Sequence, residues 1–168
     1  LYGEVTYSTL MDDQTNPEDA IKWGLYSFKA QSGTDFTSKL IHKSICANGG
    51  GTYANGKLYF TSYYEGMDGN LGYLYFCVLD LATMNMNQIA LHSDYYTSIA
   101  TDMTYDPVGN TIYSQAYPDD ANTSTDWKYT LSTVNPATGI ASRIAQLDRM
   151  SMIACDESGN LYGVRYND

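Results

Sequence analysis

The feature that most constrains this chain is a short element that returns four times, a tight-turn signature running directly into an apolar, tyrosine-bearing strand. It reads Asn55-Gly56-Lys57-Leu58-Tyr59-Phe60, then Gly109-Asn110-Thr111-Ile112-Tyr113, then Gly159-Asn160-Leu161-Tyr162-Gly163. The opening Leu1-Tyr2-Gly3 is the same element cut at its start. Tyr2, Tyr59, Tyr113 and Tyr162 lie 57, 54 and 49 residues apart. A period near fifty residues points to one supersecondary unit copied in series.

Three further strands keep step with it. An aromatic-rich strand enters a turn at Leu25-Tyr26-Ser27-Phe28 (Gln31-Ser32-Gly33), at Phe76-Cys77-Val78-Leu79 (Asp80-Leu81-Ala82-Thr83) and at Leu131-Ser132-Thr133-Val134 (Asn135-Pro136-Ala137-Thr138-Gly139). Another strand follows each, with Ile41, Leu91 and Leu147 placed 13, 12 and 13 residues after Phe28, Leu79 and Val134. A fourth precedes each turn-tyrosine element. The expected strands are therefore A (45–53, 98–105, 150–155), B (1–7, 58–64, 111–117, 161–167), C (23–30, 73–80, 128–135) and D (36–42, 86–92, 140–147). Short β-branched and aromatic segments, punctuated by Asn-Gly, Gly-Asn and Asn-Pro, argue against helix. Only Asn16-Pro17-Glu18-Asp19-Ala20-Ile21 carries helix-start signals, for one or two turns at most.

The expected fold is all-β. Four antiparallel strands repeating at about fifty residues match one blade of a β-propeller. Asp156-Glu157-Ser158-Gly159-Asn160-Leu161-Tyr162-Gly163 and Val134-Asn135-Pro136-Ala137-Thr138-Gly139 resemble the blades of YVTN-type and quinoprotein-dehydrogenase-like repeats. In those, a turn of the form Asp-x-x-Gly-Asn/Lys leads into Leu-Tyr-Val, and a later strand ends in Asp-x-x-Thr-Gly. The resemblance runs along the whole chain, is degraded at Ala54-Asn55-Gly56, and implies a fold without a function. One domain over 1–168 is expected, divided into a partial blade 1–43, blades 44–92 and 93–147, and a partial blade 148–168.

Both ends fall in a B strand, so self-closure leaves one strand too many and the expected form is an open arc or part of a larger propeller. An uncovered blade face of roughly 500 Å² apolar area represents about 12 kcal/mol at 25 cal/mol per Å². More blades, or a homodimer of two arcs, are the expected ways to cover it. The start at Leu1-Tyr2-Gly3, without Met or a leader, suggests a processed or truncated product.

Composition narrows the partners. The net charge of -10 disfavours nucleic acid and anionic membranes, and no apolar run is long enough to span a bilayer. The 17 tyrosines, against 4 Phe and 2 Trp, suit a pleated surface buried at its rings and wet at its hydroxyls. With few lysines and many Asn, Asp, Gly, Ser and Thr, the composition fits an exported protein, extracellular, surface-bound or periplasmic. Cys46, Cys77 and Cys155 have no regular spacing and are expected as small buried hydrophobes.

In such a repeat the A–B and C–D turns share one rim and the B–C connections the other. The first rim is tight, with Asp106 and Asp156 in hairpin-forming roles. The B–C connections are long: 8–22, 65–72 and 118–127. They carry Asp12, Asp13, Glu18, Asp19, Glu65, Asp68, Asp119, Asp120 and Asp126. Long loops on a rigid scaffold are where binding concentrates. The candidate ligand-binding residues are Trp23, Tyr63, Tyr64, Tyr117, Asp119, Asp120 and Trp127, since ring faces beside carboxylates suit a sugar or a protein surface.

The expected function is a non-catalytic module of an exported or surface protein that binds a glycan or a protein there. The alternatives are a glycoside hydrolase or polysaccharide lyase fragment with acidic catalytic residues, and a purely structural assembly module. Catalysis is the less favoured reading, because no pair of acids stands out as hydrolysis requires and no nucleophile, zinc or phosphate-loop signature is present. His42, His92 and Asp148 hold equivalent places on D strands, but the repeat that relates them also separates them, so no transition-metal site is expected. Calcium at Asp12-Asp13 or Asp119-Asp120 suits the chemistry better, yet neither stretch has a dedicated oxygen spacing. No cofactor is expected.

Overall fold

A computed structural model describes residues 2–7, 22–30, 36–43, 47–64, 73–90, 100–116, 128–148 and 150–165. Every regular element among them is a strand. They fall into two compact units, Leu1–Ala47 and Asn48–Asp168. No helix among the described residues is long and apolar enough to cross a membrane.

The first unit holds a three-stranded antiparallel sheet, β1 (Tyr2–Tyr7), β2 (Lys22–Ala30) and β3 (Phe36–Lys43), in that order. Tyr2 stands opposite Ser27, and Ala30 opposite Phe36. These are the expected B, C and D strands.

The second unit begins with β4 (Ala47–Ala54), β5 (Lys57–Tyr64), β6 (Tyr73–Asp80) and β7 (Met86–Ala90), a four-stranded sheet in chain order. The next sheet is β8 (Ala100–Asp106), β9 (Thr111–Ala116), β10 (Lys128–Val134) and β11 (Ala141–Asp148), again in chain order. Last come β12 (Met150–Cys155) and β13 (Leu161–Arg165), paired as A and B. The expected four-stranded antiparallel repeats are present, and the strands sit within a few residues of their expected places.

Local chemistry explains the turns. Asn55 and Gly56 both take positive φ, 51° and 77°, as a two-residue hairpin matched to strand twist requires. The two described C–D turns are built alike. Asp80 Oδ1 accepts from the N–H groups of Ala82 and Thr83, and Asn135 Oδ1 from those of Ala137 and Thr138. The Met84 N–H donates to Asp80 O and the Gly139 N–H to Asn135 O, each at 2.8 Å. An Asx turn needs only a short acceptor side chain, so Asp and Asn serve equally.

The main described core lies between the two four-stranded sheets. Tyr59 and Phe76 from the first meet Met103, Ile112, Val134 and Ala141 from the second. Phe76 and Ile112 are fully buried, and Tyr59 stacks on Phe76 with ring centroids 6.0 Å apart. Alternation along each strand puts these residues on one face, which makes sheet-on-sheet packing possible.

A second set of contacts ties the A strands together. Gly50 comes so close to β8 that a Cβ there would meet Ala100 O at 2.9 Å. Thr61 Oγ1 donates to Gly49 O and accepts from the Ala100 N–H, joining β5 to both β4 and β8. Asp102 Oδ2 accepts from the Ile153 N–H at 2.7 Å, and Thr104 Oγ1 from the Cys155 N–H at 2.9 Å. Thus β4, β8 and β12 lie side by side in chain order. Side-chain-to-backbone bonds, rather than a ladder of paired strands, link each described sheet of the second unit to the next.

Candidate functional site

At one end of the second unit's sheets the described polar groups are used within the turns themselves. At the A–B turn end, Asp106 Oδ1 accepts from the N–H groups of Val108 and Gly109. Asp156 Oδ1 accepts from those of Ser158 and Asn160, while its Oδ2 accepts from Asn160 Nδ2 and the Tyr162 hydroxyl. Neighbouring turns meet here as well. A Cβ at Gly159 would lie 2.9 Å from Asp106 Oδ1, and Tyr105 joins Asn55 to Asn110 by donating to Asn110 Oδ1 and accepting from Asn55 Nδ2.

These bonds show in the acidities. The Asn160 side chain, followed by its N–H, holds the Asp156 carboxyl below its ordinary value, and the same carboxylate holds the Tyr162 phenol above its own. The Thr83 N–H and hydroxyl lower Asp80 in the same way. Burial raises the Tyr59 phenol and the Cys155 thiol. None of this resembles a catalytic acid raised toward neutrality beside an ionised partner. These carboxylates are committed to their own turns.

At the other end the strands run out into the long connections. β5 and β6 finish with Tyr63 opposite Leu74 and Tyr64 opposite Tyr73, so two candidate residues sit where the chain leaves for 65–72. β9 ends at Ala116, opposite both Ala100 and Thr130. Candidates Tyr117, Asp119, Asp120 and Trp127 lie outside the described residues, as do Asp12 and Asp13. Trp23 belongs to the first unit, on β2 opposite Thr6. The structure therefore places the consecutive residues Tyr63 and Tyr64 at one strand end and does not test the grouping of the candidates.

Among the described residues no cluster of three or more His, Cys, Asp or Glu is placed to hold a metal ion. His42 lies on β3 opposite Leu25, and Asp148 on β11 opposite Lys128, while His92 is outside the described residues. The polar residues that sequence reasoning missed are the inter-sheet links Thr61, Asp102 and Thr104. An acid and two threonines at strand positions that should be apolar or solvent-facing were the available signal. No protein-family model matches this chain, and no curated protein matches it either.

Proposed function

We propose that the chain is a run of β-propeller blades from an exported or surface protein, and that it binds a glycan or a protein without catalysis on the rim of the long B–C connections. One observation carries this reading. At the A–B and C–D rim Asp80, Asp106 and Asp156 each accept hydrogen bonds from their own turn, which supports placing a ligand on the acid-rich B–C connections instead. Stacking of successive four-stranded sheets, with A strands adjacent in chain order, supports the blade reading. Tyr63 and Tyr64 at the root of one connection support an aromatic contribution to that rim.

A glycan array probed with the full chain tests the proposal, alongside an Asp119→Asn/Asp120→Asn variant and Trp127→Ala. Binding that falls at least about tenfold in the variants, with no turnover of the bound glycan, is the expected result. Turnover lost with the two acids would assign the chain to hydrolysis or elimination instead. Unchanged binding in both variants would remove the B–C rim from the account.

A further inference from the structure

The face of β4–β7 that packs against β8–β11 does not stay apolar along its length. The register puts Thr61, Phe76 and Ile89 in one row across the sheet, and Tyr59, Val78 and Asn87 in another. Lys57 and Asp80 stand opposite each other in a third. Side chains alternate along a strand, so the three rows share one face. Tyr59 and Phe76 are buried in the core, with Val78 and Ile89 packed partly against it. Asn87, Asp80 and Lys57 thus hold places aimed at the neighbouring sheet, which packing alone would fill with apolar side chains.

At that end the two sheets leave a cleft of about 390 Å³ between them, within the size of small-ligand sites. Val78 and Ile89 line one side, Pro136 and Ala137 of the next sheet's C–D turn the other, and Asn85 and Asn87 supply amides. Among the described residues none bonds the side-chain amide of either asparagine. Lys57 and Asp80 carry opposite charges, so the lining has no net charge. Fifty-five residues on, the same strand positions build a different hollow. Thr133 opposite Ser142 repeats Val78 opposite Asn87. There, however, Ile140 and Ser142 replace the two asparagines, and the described lining comes from one sheet alone.

From these observations we infer that the cleft between β4–β7 and β8–β11 binds a neutral sugar, one pyranose unit of a glycan. Each sugar hydroxyl donates and accepts, as each asparagine amide does, while the ring's C–H faces suit Val78, Ile89 and Pro136. The cancelled charges favour no ionic ligand. The cleft lies at the opposite ends of β5 and β6 from the 65–72 connection and uses amides rather than turn carboxylates. It therefore stands or falls independently of binding on the B–C rim.

NMR titration of the isotope-labelled full chain with the methyl glycosides of glucose, galactose, mannose and N-acetylglucosamine tests this. At least one should shift the Ala137 amide and the Asn85 and Asn87 side-chain amides saturably, with a dissociation constant of about 1 mM. Asn87→Leu should weaken that binding at least about tenfold. Asn85→Ala, outside the strands, is the second probe should the first variant lose its strand spectrum. The Asp119→Asn/Asp120→Asn variant should bind in the cleft as the wild type does, which separates this site from the B–C rim. No saturable shift with any of the four glycosides would overturn the inference. So would equal shifts around Thr133 and Ser142, or binding unchanged by both asparagine variants.

Discussion

Met84 and Gly139 occupy the same place in two turns that are otherwise hydrogen-bonded alike, and only glycine suits it. Both have positive φ, 58° and 69°, where a side chain costs about 1–2 kcal/mol. Met84→Gly is therefore expected to stabilise the fold by about 0.5 kcal/mol once glycine's added unfolded-state entropy is subtracted, as read from the urea midpoint. Gly139→Val should cost about 2 kcal/mol or more, because its Cβ would press within 3.3 Å of both Ile89 and Phe76. The turn acids set a pH dependence. Asp80 and Asp156 have carboxyls lowered by hydrogen bonds in the folded chain, so their support is complete above the ordinary value of 3.8 and is lost as pH falls through the lowered folded values. Asp80→Asn keeps the turn acceptor, as Asn135 already does, and should flatten the acid limb of a urea-midpoint profile. An unchanged limb would mean that Asp80 does not report on folding.

The strands show where the sequence was readable and where it was not. Turn and tyrosine recur together at each B strand, so the period alone located the strands to within a few residues. Asn55-Gly56 announced a hairpin because few other pairs accept two positive φ values. The links between sheets had only the weaker signal of polar residues at strand positions, since one acid inside a strand has no periodicity. Asp102 shows its role only once β12 lies beside β8. Asp102→Ala should then cost about 1.5–3 kcal/mol, the range for hydrogen bonds to a charged group. Its signature is local: amide exchange should quicken at Ile153 and Met103, both donors to Asp102, while β5 and β6 keep their protection. Exchange rising equally in every strand would argue against a distinct link. Phe76→Ala, in the packing between the sheets, should instead lower the whole melting transition by about 3–5 kcal/mol.

For the molecule as a whole, the fold and the proposed site are written in different parts of the chain. Regular strands obey a period of two within a period near fifty, and both are legible in single residues. The B–C connections obey neither, and of the seven candidate residues only Trp23, Tyr63 and Tyr64 fall on described strands. Asp, Asn and Tyr in a long loop satisfy solubility, capping and recognition equally well, so composition there does not choose among them. The account depends on separate four-stranded sheets whose A strands lie next to one another in chain order. Nuclear Overhauser spectroscopy of the full chain tests this most directly. The Gly50 α-protons should show cross-peaks to backbone protons of Ala100 and Asp102, with a slowly exchanging Ile153 amide beside the Asp102 side chain. Absence of the Gly50 cross-peaks, with β8 or β12 instead paired by a continuous backbone ladder to another sheet, would contradict the account.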